Sequence, residues 1–158
     1  MLEHVCKGSK VYIVGIYASI SYLLQRQLWA DLIMLHNSLA APWIFVGDFN
    51  AVLGAHEKRG RHLPPSTSCN DFLSLTNANL LLHLNTNDVQ FTWNNGRLDS
   101  DYVFLRLDHA ICNEAWTDFL GVTSCTALVW THFDHYPFLV HLEFSLVRKT
   151  TSFKFFKT

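Results

Sequence analysis

Trp43-Ile44-Phe45-Val46, running straight into Gly47-Asp48-Phe49-Asn50, is the stretch whose reading decides the fold. Four β-branched or aromatic residues after Pro42 read as a buried strand, and the polar residues after Gly47 read as its end. An acid leaving the end of a buried strand is well placed for chemistry, because the strand fixes the side chain while the loop beyond leaves access. A plainer reading fits the same residues: Asp48 could serve only an Asx turn that closes the backbone.

Upstream of Pro42, Leu24, Leu28, Leu32, Leu35 and Leu39 recur at helical spacing. They predict a helix from Ser21 to Leu39, with Ser21 as N-cap and the leucines as its core stripe. Val11 to Ala18 reads as another buried strand. Downstream, the polar, Pro-containing stretch Ala55–Ser68 reads as a loop, Asn70–Ala78 as a helix, and Leu80–Leu84 as a lead into a turn at Asn85–Asp88. Phe91-Thr92-Trp93 is a short strand closed by the turn signal Asn94-Asn95-Gly96. Arg106–Cys112 alternates as a strand, and Asn113 caps a helical turn through Phe119. Thr126–Trp130 and Phe138–Phe144 are the last strands, with a loop from Thr131 to Pro137 between them. Strands and helices alternate without a strict βαβ rhythm, which predicts a layered α/β sandwich with a mixed sheet. The expected boundaries are a short strandless lead at 1–10, one domain at 11–147, and a basic, aromatic tail at 148–158.

The chain has 158 residues, 49% of them apolar and 14% aromatic. This fits one globular domain or a large piece of one, and excludes a disordered or fibrous protein. Twelve basic against thirteen acidic side chains leave a net charge of −1. Any nucleic-acid contact must then come from a local patch, and Lys58, Arg59 and Arg61 form one in the loop after Asn50. The apolar run Leu39–Val46 is broken by Pro42 and too short to span a bilayer, and the charged first ten residues lack a signal-peptide core. Four cysteines without a CxxC pair read as reduced thiols of an intracellular protein. Among nine histidines, His132 and His135 flank Asp134, but no third ligand at zinc spacing accompanies them.

Two more polar clusters adjoin predicted strands: Arg106-Leu107-Asp108-His109 and Asp134-His135-Tyr136-Pro137. Each has a plain reading. Asp108 could simply pair with Arg106 or Arg97, and an Asp-His pair in a loop is commonly a solvated turn. Their order along the chain carries more information than any one of them. The series runs Tyr17-Ala18-Ser19, Arg26-Gln27-Leu28-Trp29, Trp43, then Gly47 to Ala51. It continues with Phe91-Thr92-Trp93-Asn94, Arg106-Leu107-Asp108, Asn113, Trp116 and Asp134-His135-Tyr136-Pro137. In this order, over about residues 11 to 144, the sequence resembles the endonuclease/exonuclease/phosphatase superfamily. Its wording is most similar to the endonuclease domain of plant LINE-type non-LTR retrotransposons.

The resemblance implies an α/β sandwich of the deoxyribonuclease-like type and Mg²⁺-dependent hydrolysis of a DNA phosphodiester. That chemistry needs a water nucleophile, stabilised phosphoryl oxygens and help for the leaving alkoxide. The resemblance assigns Asp48 to the water and Asn50 to the developing oxyanion. It makes His135 a donor to the scissile phosphate, with Asp108 orienting the imidazole. Tyr17 would hydrogen-bond a phosphate oxygen, and Asp134 would help hold Mg²⁺. The implied partner is DNA, with no membrane association, and the implied location of a functional enzyme is the nucleus.

The sequence departs from the family pattern in two places. Phe133 stands where the family's last motif usually begins with Ser. The family's opening strands, with a metal-side Asn and a metal-binding Glu, have no counterpart expected before Val11. Glu3 follows no predicted strand, and the role is not carried onto it. The expectation is a partial domain lacking its N-terminal strands, poorly soluble and weakly active or inactive. The alternatives are a non-catalytic remnant that binds nucleic acid through Lys58 to Arg61, or a phosphatase of the same fold.

Overall fold

The computed structural model describes residues 1–6, 9–87, 89–97, 100–120, 122–128 and 134–143. The tail expected at 148–158, His132, Phe133, the end of the strand expected at 126–130 and the Asp88 end of the 85–88 turn lie outside the described residues. In chain order the strands and helices are β1 (Leu2–Cys6), β2 (Ser9–Tyr17), α1 (Tyr22–Ser38), β3 (Trp43–Asp48) and β4 (Lys58–Arg59). They continue with α2 (Ser66–Asn77), β5 (Leu82–His83), β6 (Thr86–Asn87), β7 (Trp93–Asn94) and β8 (Phe104–Leu105). The last are β9 (Asp108–Cys112), α3 (Glu114–Phe119), β10 (Val122–Ala127) and β11 (Phe138–Glu143).

β3 is the central strand of a five-stranded mixed sheet ordered β1-β2-β3-β9-β5. It runs parallel to β2 and antiparallel to β9, so Tyr17 lies opposite Asp48 on one side and Asp108 lies opposite Asp48 on the other. The pleat sends alternate residues of β3 into two different cores. Trp43 and Phe45 join Trp29 and Leu32 of α1 and Phe72 and Leu75 of α2 on one face. Ile44 packs on the other face with Ala110, Cys112, Trp116 and Cys125, under a second sheet ordered β11-β10-β6. This is the layered α/β sandwich expected from the sequence. A third small sheet, β4-β8-β7, stands beside it.

Four local expectations need correction. Residues 1–10 are not a strandless lead: β1 pairs antiparallel with β2, Leu2 opposite Ile13 through Cys6 opposite Ser9. The buried face of α1 is Gln25, Trp29 and Leu32, while Leu24 is exposed. Trp29 turns the helix this way by stacking between Phe49 and Phe72, with ring centroids 5.9 and 5.2 Å away. The stretch 55–68 is not all loop. Ala55–Glu57 forms a 3₁₀ turn, Lys58–Arg59 pairs with Phe104–Leu105, and α2 begins at Ser66, directly after Pro64-Pro65. Arg106 and Leu107 precede the strand they were expected to start, because their backbone groups turn away to Glu57 and Phe49. The cap at Asn113 is as expected: its side chain accepts the Trp116 N–H at 3.0 Å.

Candidate active site

Tyr17 and Asp48 end β2 and β3, and Asp108 begins the antiparallel β9, at the same edge of the central sheet and in register. Gly47 makes the exit of β3 possible. Its φ is +139°, and a Cβ there would lie 2.1 Å from the Ile16 carbonyl oxygen, so no side chain fits. Beyond it, Asp48 does close an Asx turn: its Oδ1 accepts the Asn50 N–H at 2.8 Å, and Asn50 sits at φ 47°. The plain reading of this motif and the site reading therefore describe the same geometry. The Asn50 amide donates to Asp48 Oδ2 at 3.0 Å and to the Ala18 carbonyl at 2.8 Å, which engages both of its protons.

His135 enters from a different part of the chain and meets both acids. Its Nδ1–H donates to Asp108 Oδ2 at 3.2 Å, and its Nε2 lies 3.9 Å from Asp48 Oδ2. Asp48 and Asp108 are each 8% exposed, whereas the His135 side chain keeps 35% of its surface. Burial, with the facing Asp108 carboxylate adding to it, raises the Asp48 carboxyl above its ordinary range despite the Asn50 N–H. The alternative partners for Asp108 are taken elsewhere: Arg106 lies 3.7 Å from Glu57, and Arg97 3.8 Å from Asp101.

Asp134 sits beside this group but turns to Trp93, whose indole N–H donates to its Oδ2 at 3.1 Å and holds its carboxyl below the usual range. Tyr17 is 88% exposed and borders, with Asn50 and Ile20, an open cleft of about 440 Å³. Lys58 and Asn50 line a second cavity, of about 140 Å³. A neighbouring cavity of about 380 Å³ is bordered by Lys58, Arg61, His62 and Arg97. Arg59 stacks over the Tyr102 ring at 5.5 Å. Of these basic residues, Lys58 is the one that shares a cavity wall with Asn50.

Three supporting residues escaped the sequence reading. Gln25, 4% exposed, donates to the carbonyls of Ser19 at 2.9 Å and Asn50 at 2.8 Å, tying α1 to both loops. Glu57, also 4% exposed, accepts the Leu53 N–H at 2.6 Å, and burial raises its carboxyl. His109, wholly buried, has its Nε2 3.1 Å from the carbonyls of both Ala51 and Arg106, so that nitrogen carries the proton. A polar residue on an otherwise apolar helix face could have flagged Gln25. Glu57 and His109 carry no such signal, since their partners are brought to them by the fold.

Among the described residues no three His, Cys, Asp or Glu side chains converge as a metal-binding group. Asp134 offers one carboxylate with one oxygen already accepting from Trp93, and both oxygens of Asp48 accept from Asn50. This donor set does not fit a firmly held divalent cation. Among the described residues no helix is long and apolar enough to cross a membrane.

No protein-family model and no curated protein matches the chain. Among solved structures it is similar to the endonuclease domain of TRAS1, a telomere-specific non-LTR retrotransposon, at 16% sequence identity and a TM-score of 0.60. The match covers 89% of this chain and 59% of that one, so the chain spans about three-fifths of the neighbour's length. At this identity the likeness shows the fold alone: the chain folds like that endonuclease domain, in the layered α/β sandwich that the order of motifs implied.

Proposed function

We propose that this chain is a retrotransposon-derived, DNA-nicking endonuclease domain fragment that hydrolyses a phosphodiester slowly, on DNA in the nucleus. The observation that carries this reading is His135 held between two carboxylates at the exposed edge of the sheet. Asp108 accepts from Nδ1–H, so the proton that His135 gives is the second one of its imidazolium form, on Nε2, and it passes to the leaving oxygen as negative charge builds there. Asp48, made more basic by burial, takes the proton of the attacking water as the bond to the leaving oxygen breaks. Asn50 aims the Asp48 carboxylate, and the exposed Tyr17 hydroxyl contacts a second phosphate oxygen. Lys58, Arg59 and Arg61 contact the DNA backbone, which gives affinity without sequence preference.

The family resemblance implies Mg²⁺, with Asp134 as its carboxylate. A single partly engaged carboxylate holds such an ion weakly, and no step is routed through it here. The rate is therefore low, because charge neutralisation at the phosphate falls to His135 and the basic rim.

Two measurements on the 158-residue chain test the proposal. In a gel shift, binding to duplex DNA should fall steeply with salt, and replacing Lys58, Arg59 and Arg61 by Ala should shallow that slope by roughly one unit per lost phosphate contact. In a supercoiled-plasmid assay with Mg²⁺, nicking should be slow and lost in Asp48→Ala. Binding with no nicking at any enzyme concentration would overturn the catalytic reading in favour of a binding remnant. Fast nicking would overturn the claim that the site is crippled.

A further inference from the structure

Thr92 is wholly buried, and three separate segments of the site are bonded to it or through it. Its hydroxyl oxygen accepts the N–H groups of Leu107 and Asp108, each at 3.0 Å. Its own carbonyl accepts the Tyr136 N–H at 2.9 Å, one residue from His135. The Leu107 carbonyl then accepts the Phe49 N–H at 2.8 Å, one residue from Asp48. A fourth bond, from the Thr92 N–H to the Leu105 carbonyl at 2.9 Å, fixes Thr92 itself.

We propose that Thr92 is a positioning residue that sets the distance between Asp108 and His135, an assignment that rests on the function proposed above. It touches neither substrate nor the reacting atoms. One face of the residue holds the backbone of Asp108, and the opposite face holds the backbone next to His135. The two side chains meet because the same residue grips both. The Thr92 hydroxyl oxygen supplies two acceptor lone pairs at one point. Valine has the same shape and none, so it would leave two buried N–H groups unpartnered and let the 107–108 backbone move. Serine keeps both bonds and loses only a methyl group. The neighbouring Trp93 acts on the same loop, by its β-bridge to His135 and its indole bond to Asp134.

The test uses the full chain, with Thr92→Val and Thr92→Ser. In ¹⁵N-detected spectra of the histidine rings, the hydrogen-bonded Nδ1–H of His135 is assigned by its loss in Asp108→Ala. The expected result is that Thr92→Val loses or shifts this resonance while keeping its folded backbone spectrum, and Thr92→Ser retains it. Nicking should fall on the order of a hundredfold in Thr92→Val, as for a displacement of about 1 Å in a catalytic group, and return in Thr92→Ser. A folded Thr92→Val with the wild-type His135 resonance would overturn the proposal. Should Thr92→Val fail to fold, hydrogen exchange in the wild-type chain decides. The Leu107 and Asp108 amides should exchange only through global unfolding, and fast exchange there would contradict the clasp. Loss of the resonance in a chain that never nicks would leave Thr92 as the clasp and refute the nuclease reading alone.

Discussion

Three side chains, Asp48, Asp108 and His135, carry the chemistry proposed at this edge, and each was legible in the sequence. Each is a polar residue next to an apolar run, in the order on which the family resemblance rests. Gln25, Glu57, Thr92 and His109 were not legible, because what makes them matter is a hydrogen bond to residues that only the fold brings near. His109 illustrates the consequence. Burial lowers its imidazole to about 3 and that of His83 to about 4, so both are neutral in the folded chain at physiological pH. The 4.0 Å approach of His109 to Glu57 is accordingly not an ion pair there. Once unfolded, both rings protonate near the ordinary value of 6.5, so between about 4 and 6.5 the unfolded chain binds more protons than the folded one. Stability contributed by the neutral rings is present above 6.5 and is lost as pH falls through that window. Each ring costs about 1.4 kcal/mol per pH unit. Urea denaturation at pH 7, 6 and 5 should show the wild type losing stability relative to His109→Gln, which has no ring to protonate and can still donate to Ala51 or Arg106. A difference between the two chains that does not change with pH would contradict the assignment.

Among the elements, β3 shows what a sequence specifies and what it leaves open. Its continuous apolar run and polar exit were readable from Trp43 to Asn50, since a strand buried on both faces has few other solutions. The requirement for Gly47 was not readable, because it comes from the Ile16 carbonyl on β2. Gly47→Ala should cost several kcal/mol, more than the roughly 1 kcal/mol of a tolerated glycine replacement, because backbone rather than a flexible side chain blocks the Cβ. Thermal or urea unfolding measures this directly, and a loss below about 1 kcal/mol would show that the β2–β3 pair can open to admit a methyl group. The leucine repeat of α1 held for Leu28, Leu32, Leu35 and Leu39, which lie in or against the core, and failed only at Leu24. Periodicity located the helix, but the large Trp29 ring decided which face was buried, placing Gln25 inward and Leu24 outward. The strand at Leu2–Cys6 was missed because five residues with His and Glu among them carry little pattern until β2 is there to pair with.

At the scale of the whole molecule, the layered sandwich was legible from the order of elements, and the placement of the surface was not. Tyr17, Ile20, Leu23 and Leu24 are all more than half exposed, from the end of β2 into the first turn of α1. A run of apolar side chains of this kind drives association. Light scattering should find the chain self-associating as its concentration rises, and Leu23→Lys with Leu24→Lys should reduce that without lowering the melting temperature. Equal association of both chains would place the sticky surface elsewhere. The same edge of the molecule presents Asp48, Asp108 and His135, and Asn50 shares a cavity wall with Lys58 beside it. The central claim is that His135 supplies the proton to a phosphodiester bound there. It is tested most directly by the nicking rate of His135→Gly with and without added imidazole. The account predicts a loss of about a hundredfold or more on substitution and a return of activity with imidazole. Nicking that proceeds at the wild-type rate in His135→Gly would contradict it.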